Sequence, residues 1–581
     1  MHYIDLFMFS YQRSFRIALE ILSRNVFEKI GADISPKVLL VGTRAPDSTA
    51  RHPVCIEPED DEWSLEPFTN LLGEIETIIP DHPLQKMFYG DEPSMRDKPE
   101  NIRRSSVRMA VEAALLASDK EKGQRSFGGT PCRVGEYYVV PILQIPDVLF
   151  EQFPPLEQPV SDDPHFPRGV PSYPHACIIE LLSEATKELN LPEPGRGAFR
   201  AGRSSEEIAR AAASNFMRTP AYMISRRYVP ENLLERFNLI SSLMYEGSHG
   251  VGQLVLVDPE CPSIDYLVRF QTPVPFREPR WARKVLQMAS ADIALIADSE
   301  SIYGLGRLNA SHTFETHSAF VVGFLDHYHW EVRVGEQILL RSRYGEPMLP
   351  KERLSQDRFV DNFSRLFPSA SANARAQLWM LYSAATRQKH GSMIIVAADA
   401  ESEAIRLAQQ GTVIEPVTMT PELLMRASGI DGTILVDSEC VCHAIGVILD
   451  GMATPECTPS RGSRFNSGVR YVGASQARRL AIVVSEDGTV DVFPLLRPRV
   501  DRNEVERMVC ALEKATGDNY HQARNWLDEH RFYLNATQCA KVNAALQQIE
   551  ASLKGTMTII VKVSHFAPNP DMNDSYFLPA N

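Results

Sequence analysis

Nowhere in the 581 residues is there an uninterrupted apolar run of about 18 residues, the length a membrane-spanning helix needs. The apolar start, Met1 to Arg24, is broken by Asp5, Gln12, Arg13 and Arg16 and lacks a small-residue cleavage site. It reads as an amphipathic helix rather than a signal peptide. Paired cysteine spacing is missing too. Nine cysteines are scattered over the chain, and the C-x-C of Cys440 and Cys442 has no second pair nearby. That is not a secreted disulfide framework, and it favours buried thiols on an apolar strand over a metal site. Positive charge is in deficit: 60 Lys and Arg face 74 Asp and Glu, a formal net charge of −14. Phosphate backbones select for cationic surfaces, so nucleic acid is not an expected partner. No G-x-x-x-x-G-K-[ST] run occurs, which excludes a P-loop. Reduced thiols without an anchor or address predict a cytoplasmic protein with no membrane partner.

What is present is ordinary globular material, 44% hydrophobic and 23% charged. Single cores rarely grow past about 250–300 residues, so a chain of this length predicts several domains. The fold class expected is multi-domain α/β. Segments 36–42 and 137–143 read as buried strands. The proline-rich stretch from Phe153 to His175 reads as a linker, and a Pro/Gly/Arg-rich break follows from Leu191 to Ser204. A helical pattern resumes over Glu206–Ala213. After residue 500 the pattern gives three amphipathic helices, Asn503–Thr516, His521–Glu529 and Ala536–Leu553. A short strand, Thr556–Val563, and a frayed tail, Pro568–Asn581, complete it. The domains expected are a sensor-like α/β region at 1–180, an α/β unit at 200–350, a second at 360–500 and a helical extension with its tail at 501–581.

The two α/β units resemble one another. ISSLMYEGSHGVGQLVLVD turns at His249-Gly250, and LYSAATRQKHGSMIIVAAD turns at His390-Gly391. Trp281 onward leads into ADIALIADSESIYGLG, as Glu422 onward leads into IDGTILVDSECVCHAIG, with Asp298-Ser-Glu300 falling where Asp437-Ser-Glu439 falls. This order reads either as a duplication or as two unrelated units sharing helix–turn–strand grammar. The second copy alone carries the insert TPECTPSRGSRFNSGVRYVGASQARR.

Three elements of the second copy carry chemistry. Asp431-Gly432-Thr433 opens an apolar strand of a hairpin. An aspartate there can hold a divalent cation, since Mg2+ needs only one or two carboxylates beside substrate phosphates, though a plain turn aspartate has the same look. Arg461 to Gly468 precedes a helix, so Gly462, Ser463 and the helix-start amides can face a phosphate, with Arg464 adding a fork of donors. An ordinary helix start gives the same pattern. Third, the strand from Leu480 delivers Ser485 and Glu486 to its end, a common ligand position in α/β folds and also a common hairpin turn.

In this order and spacing, Lys389-His390-Gly391, Pro421-Glu-Leu-Leu424, Asp431-Gly-Thr433, Gly462-Ser-Arg-Phe-Asn466 and Val484-Ser-Glu486 resemble the diadenylate cyclase domain of the bacterial DNA-integrity scanning protein and of membrane-bound cyclases. The resemblance covers about a quarter of the chain. It implies a mixed sheet flanked by helices, preceded by a degenerate copy and by a large N-terminal sensor region of the DACNV kind. It implies condensation of two ATP into cyclic di-AMP and pyrophosphate with Mg2+ or Mn2+. The resemblance makes Asp431 the metal ligand that helps activate the attacking hydroxyl, with Gly432 and Thr433 beside it as catalytic positions together with Arg464. It makes Gly462, Ser463, Arg464, Phe465 and Asn466 the triphosphate grip, and sets Ser485 and Glu486 beside phosphates and metal. Thr433 stands where the family has alanine, and Phe465 and Asn466 where it has histidine and a second arginine. Ring closure needs two such domains face to face. The first copy, with Asp292-Ile293 in place of Asp-Gly and no arginine arm, cannot be the second half-site, so a homodimer or higher oligomer is expected. The rest would be regulatory. There His249, His312, His317, His327 and His329 read as surface or core residues ahead of a metal site, and Arg277, Arg280, Arg283 and Lys284 as a solvated helix face ahead of an anion site.

Overall fold

The computed structural model describes residues 8–578 apart from 33, 59–65, 158–168, 201, 226–231, 291, 310–318, 351–353, 387–390, 453, 455–456, 458–461, 486–489, 517–518 and 554–563. The chain divides into two compact units, Met1–Pro350 and Lys351–Asn581. Both are mixed α/β.

In the first unit, β1 (Lys37–Arg44), β2 (Val54–Glu57), β3 (Gln124–Gly128), β4 (Cys132–Val134) and β5 (Tyr137–Pro146) form an antiparallel sheet of order β2-β1-β5-β3, with β4 also on β5. The two segments read as strands pair with each other, Val38 opposite Leu143. Alternation along a strand divides the sheet's two faces. Val38, Leu40, Val139 and Leu143 join the core with Phe15, Leu19 and Leu181 of the helices Gln12–Lys29 and Tyr173–Leu189. Leu39, Val41, Val140 and Ile142 meet Val107 and Val111 of the helix Glu92–Lys122. Both faces are covered, so these strands read as continuous apolar runs.

The second sheet of this unit contains β6 (Gly252–Val257), β7 (Ile264–Pro275), β8 (Ala294–Ala297), β9 (Ser301–Leu308), β10 (Ala319–Asp326), β11 (His329–Val334), β12 (Gln337–Arg343) and β13 (Glu346–Met348). Its order is β13-β12-β11-β10-β6-β8-β9-β7. In the second unit, β14 (Ser392–Ala397), β15 (Thr412–Thr418), β16 (Thr433–Val436), β17 (Val441–Val447), β18 (Arg479–Val484) and β19 (Val490–Phe493) form a sheet of order β15-β17-β16-β14-β18-β19. The run β7-β9-β8-β6-β10-β11 repeats that order strand for strand. Each sheet has one parallel pair, β6 with β8 and β14 with β16, and the remaining pairs are antiparallel. The two copies therefore share one strand plan, which shared local grammar alone would not dictate.

The Asp-Ser-Glu turns explain part of the sequence likeness. Asp298 Oδ1 accepts from the amides of Glu300 and Ser301 at 2.7 and 2.8 Å, and its Oδ2 accepts from Tyr303 at 2.9 Å. Asp437 Oδ1 accepts from the amides of Glu439 and Val441, both at 2.9 Å, and its Oδ2 meets His443 at 3.2 Å. In each copy the aspartate ties the hairpin turn and braces the next strand. Cys440 and Cys442 are buried as expected, and burial pushes their thiols up to about 12 and about 11. Only Cys442 lies on the strand; Cys440 ends the turn, at φ 63°.

The helices Arg502–Glu513, His521–Glu529 and Ala536–Leu553 pack around Val505, Leu527 and Val542. The expected strand Thr556–Val563 lies outside the described residues. The described part of the tail, through Leu578, is docked rather than frayed. Tyr576 is buried, its carbonyl accepts from the Val500 amide at 3.1 Å, and the Leu578 amide donates to the Val500 carbonyl at 3.0 Å. Tyr576 and Phe577 supply the apolar area that a polar composition concealed. Among the described residues no helix is long and apolar enough to cross a membrane.

Candidate functional site

Strand direction brings the site together. β14 and β16 run parallel with Met393 beside Thr433, and β18 runs back along β14 with Val484 beside Ser392. The starts of β14 and β16 and the end of β18 therefore share one edge of the sheet. Gly391, Asp431 and Ser485 sit at those three strand ends. The helix Ser463–Gly473 begins at the same edge, because Arg464 lies on Gly391: a Cβ added to Gly391 would fall 2.5 Å from Arg464 Nη1 and 3.1 Å from the Val484 carbonyl oxygen. Glycine at 391 is what lets the guanidinium rest on the strand end.

From there Arg464 Nη2 reaches Asp431 Oδ1 at 3.4 Å. The Asp431 side chain is 94% exposed and that of Arg464 36%, so both groups remain open to a ligand. Asp431 Oδ1 also accepts from the Gly432 amide at 3.1 Å. Gly432 has φ 119°, and an added Cβ would stand 2.5 Å from the Gly446 carbonyl carbon. The Gly432→Ala chain is expected to lose about 2 kcal/mol, combining the strained backbone with that contact; chemical denaturation measures it.

The helix opens at Gly462, an N-cap with no side-chain hydrogen bond, and has no acidic residue in its first turn. Gly462 and Ser463 are exposed, and the positive end of the helix dipole lies at this edge. Asn466 is half-buried, and its side-chain amide donates to the Gly462 carbonyl at 3.4 Å. Phe465 and Thr433 turn inward. Phe465 packs onto the core under the helix, and Thr433 is fully buried with Oγ1 lacking a partner among the described residues. Thr433 thus backs the strand rather than facing a ligand. Ser485 follows β18 directly and is half-buried. Glu486, Lys389, His390 and Arg461 lie outside the described residues.

One cluster escaped the reading of the sequence and holds the helix in place. Arg479, at the start of β18, meets Asp399 at 2.7 Å and Glu403 at 3.0 Å, and its guanidinium lies 4.1 Å from the centre of the Tyr471 ring. The Tyr471 hydroxyl donates to Glu403 at 2.7 Å. Arg406 bridges Glu403 at 2.7 Å and Asp450 at 2.6 Å. The Arg406 hydrogen bond, against burial, holds the Glu403 carboxyl below its ordinary range. Tyr471 and Arg464 share the helix, so this network fixes the site from its far end.

The first copy handles the matching position differently. Gly250 stands where Gly391 stands, and Arg283 lies against it, Nε 3.0 Å from where a Cβ would be. Arg283 is buried and donates to the carbonyls of Leu243 at 2.9 Å and Ser248 at 2.7 Å. Of the basic group expected on a solvated helix face, Arg283 is instead a buried backbone clamp, its pKa lowered by desolvation. The rings of His249 and His327 are 5.3 Å apart, and His312 and His317 lie outside the described residues. Among the described residues no group of three or more His, Cys, Asp or Glu is placed to hold a metal. Asp431 is a lone hard-oxygen donor, which suits Mg2+ or Mn2+ where phosphates supply further oxygens.

Residues 8–217 match the family described as "Probable sensor domain DACNG" and residues 231–336 the one described as "Probable sensor domain DACNH". Both are sensor-type domains of the kind found N-terminal to diadenylate cyclases, though neither is the DACNV kind expected. The DACNH match falls on the first copy. Similar solved structures include DacA from Staphylococcus aureus, at 18% identity and TM-score 0.18, covering 21% of this chain and 83% of that one. Another is a hypothetical membrane spanning protein from Bacillus cereus, at 21% identity and TM-score 0.19, covering 22% of this chain and 63% of that one. Likenesses at these TM-scores do not fix a fold. No curated protein matches the chain.

Proposed function

We propose that residues 360–500 form a diadenylate cyclase domain that condenses two ATP into cyclic di-AMP and two pyrophosphates, with the upstream residues as its sensor region. The observation that carries this reading is the meeting of Asp431 and Arg464, 3.4 Å apart, on Gly391 at an open sheet edge. A carboxylate and a guanidinium on one exposed edge beside the start of a helix are what a triphosphate with its cation needs. The two matched sensor domains upstream agree with such a domain following them.

In this proposal Arg464 and the first amides of its helix bind the triphosphate oxygens, and Ser485 borders them. The 3′-hydroxyl oxygen of one ATP forms a bond to the α-phosphorus of the other, and the bond to pyrophosphate breaks. The hydroxyl proton passes to solvent or to a nearby carboxylate. The same transfer in the opposite sense closes the ring. Bound Mg2+ or Mn2+ would neutralise charge on the phosphates, and Asp431 is the side chain that would hold it. Catalysis of this kind rests on positioning and charge neutralisation. Facing α-phosphates require two such domains, so the active form is a homodimer or higher oligomer.

A second reading rests on Phe465, which is half-buried against the core where the family has a histidine: the site binds ATP without converting it. Incubation with ATP and Mn2+ or Mg2+ followed by mass spectrometry separates the two. Cyclic di-AMP supports the cyclase. A higher melting temperature with ATP and no product supports the binding module.

A further inference from the structure

At the other end of β18 from Ser485, within the same unit, lies a cleft of 530 Å³ between the C-terminal end of the helix Gln356–Leu366, the segment after β19 and the docked tail. Its lining includes Arg365, Arg478 and Arg499 and, among the described residues, no carboxylate. One acid stands behind it: Asp361 meets Arg499 at 2.9 Å and Arg365 at 3.5 Å. Arg478, exposed at the rim, has no acidic partner among the described residues. Three lining cations against one directly paired carboxylate give the cleft a positive bias in a chain whose net charge is −14.

Arg365 carries the strongest sign that something is owed here. Its side chain is 2% exposed, yet among the described residues Nε and Nη2 have no hydrogen-bond partner, and Nη1 donates to the Arg497 carbonyl at 2.8 Å. Two unpaired nitrogens on a buried guanidinium cost free energy that the Tyr576 ring, 4.4 Å away, offsets only in part. Burial also lowers its pKa.

We propose that this cleft binds a phosphate-bearing small molecule, with Arg365, Arg478 and Arg499 neutralising its dianion. A phosphate monoester carries close to two negative charges at neutral pH, which complements the positive bias, and guanidinium forks fit its oxygens. The volume exceeds what an inorganic ion fills, and Leu366, Leu496 and Tyr576 offer apolar wall to an attached body. The site is spatially separate from Asp431 and Arg464 and does not rest on the cyclase reading.

The test is calorimetric titration of the full chain carrying R464Q, which removes the guanidinium of the other phosphate candidate, against the R464Q/R478Q chain. Inorganic phosphate and AMP are the two probes. Saturable binding that weakens about tenfold on adding R478Q is expected, for the loss of one charge-assisted contact. AMP binding tighter than phosphate then assigns the site to phosphate esters, and equal affinity to the free anion. Arg478 is exposed, so an unchanged melting temperature shows that its replacement leaves the fold intact. No saturable binding of either probe, or equal affinity in both chains, overturns the proposal.

Discussion

The Asp431→Asn chain is expected to make cyclic di-AMP at least about a hundredfold more slowly than the original chain, with an unchanged melting temperature. The two halves of this expectation have separate causes. Asparagine keeps an oxygen that can accept from the Gly432 amide, at 3.1 Å in the aspartate, so the local turn survives. The side chain is 94% exposed, and its contact with Arg464 at 3.4 Å is a surface ion pair worth about 0–1 kcal/mol. Removing the charge therefore costs the fold little. It takes away the one carboxylate the proposal gives to the cation. Product formation followed by mass spectrometry, beside a thermal melt, checks both halves. Turnover near that of the unmodified chain would remove Asp431 from the mechanism.

The largest expected loss of stability lies at the far end of the same helix. Arg479→Met is expected to destabilise the second unit by about 3 kcal/mol, because it leaves Asp399 and Glu403 short of a buried partner. Arg479 is 6% exposed and Glu403 10%, so water does not replace the lost contacts. The same network predicts the direction of the acid response. Glu403 has its folded-state pKa held below 4.5, chiefly by the Arg406 hydrogen bond. Its contribution is therefore fully present above about pH 4.5 and is lost as the pH falls through the folded value. Denaturant unfolding across that window measures both effects. An unchanged midpoint in the methionine chain would show that the network does not hold the helix.

Much of the architecture could be read from the residues because local pattern and tertiary environment agree. Segments 36–42 and 137–143 are apolar on both faces because both are covered. The three helices after residue 500 are read from apolar residues such as Val505, Leu527 and Val542, which the structure gathers in one core cluster. The resemblance alone set Asp431 and Arg464 at one site; in the structure the parallel β14–β16 pair with β18 antiparallel leaves one edge where the two side chains meet. Other features depend on contacts distant in sequence. Tyr576 looked like part of a polar tail because its partner Val500 is far along the chain. Arg283 looked solvated because its acceptors, the carbonyls of Leu243 and Ser248, are backbone groups that no composition reveals. The Asp399–Glu403–Arg406–Tyr471–Arg479 network draws on three elements, so no spacing rule marks it. Thr433 and Phe465 point inward because each obeys the period of its own strand or helix rather than the motif it interrupts.

The most direct measurement is the stoichiometry of ATP consumption by the full chain with Mn2+, with cyclic di-AMP and pyrophosphate quantified in one reaction. The account expects cyclic di-AMP to accumulate with two pyrophosphates released for each molecule formed. Saturation with ATP, shown by a raised melting temperature, without any cyclic dinucleotide would contradict it.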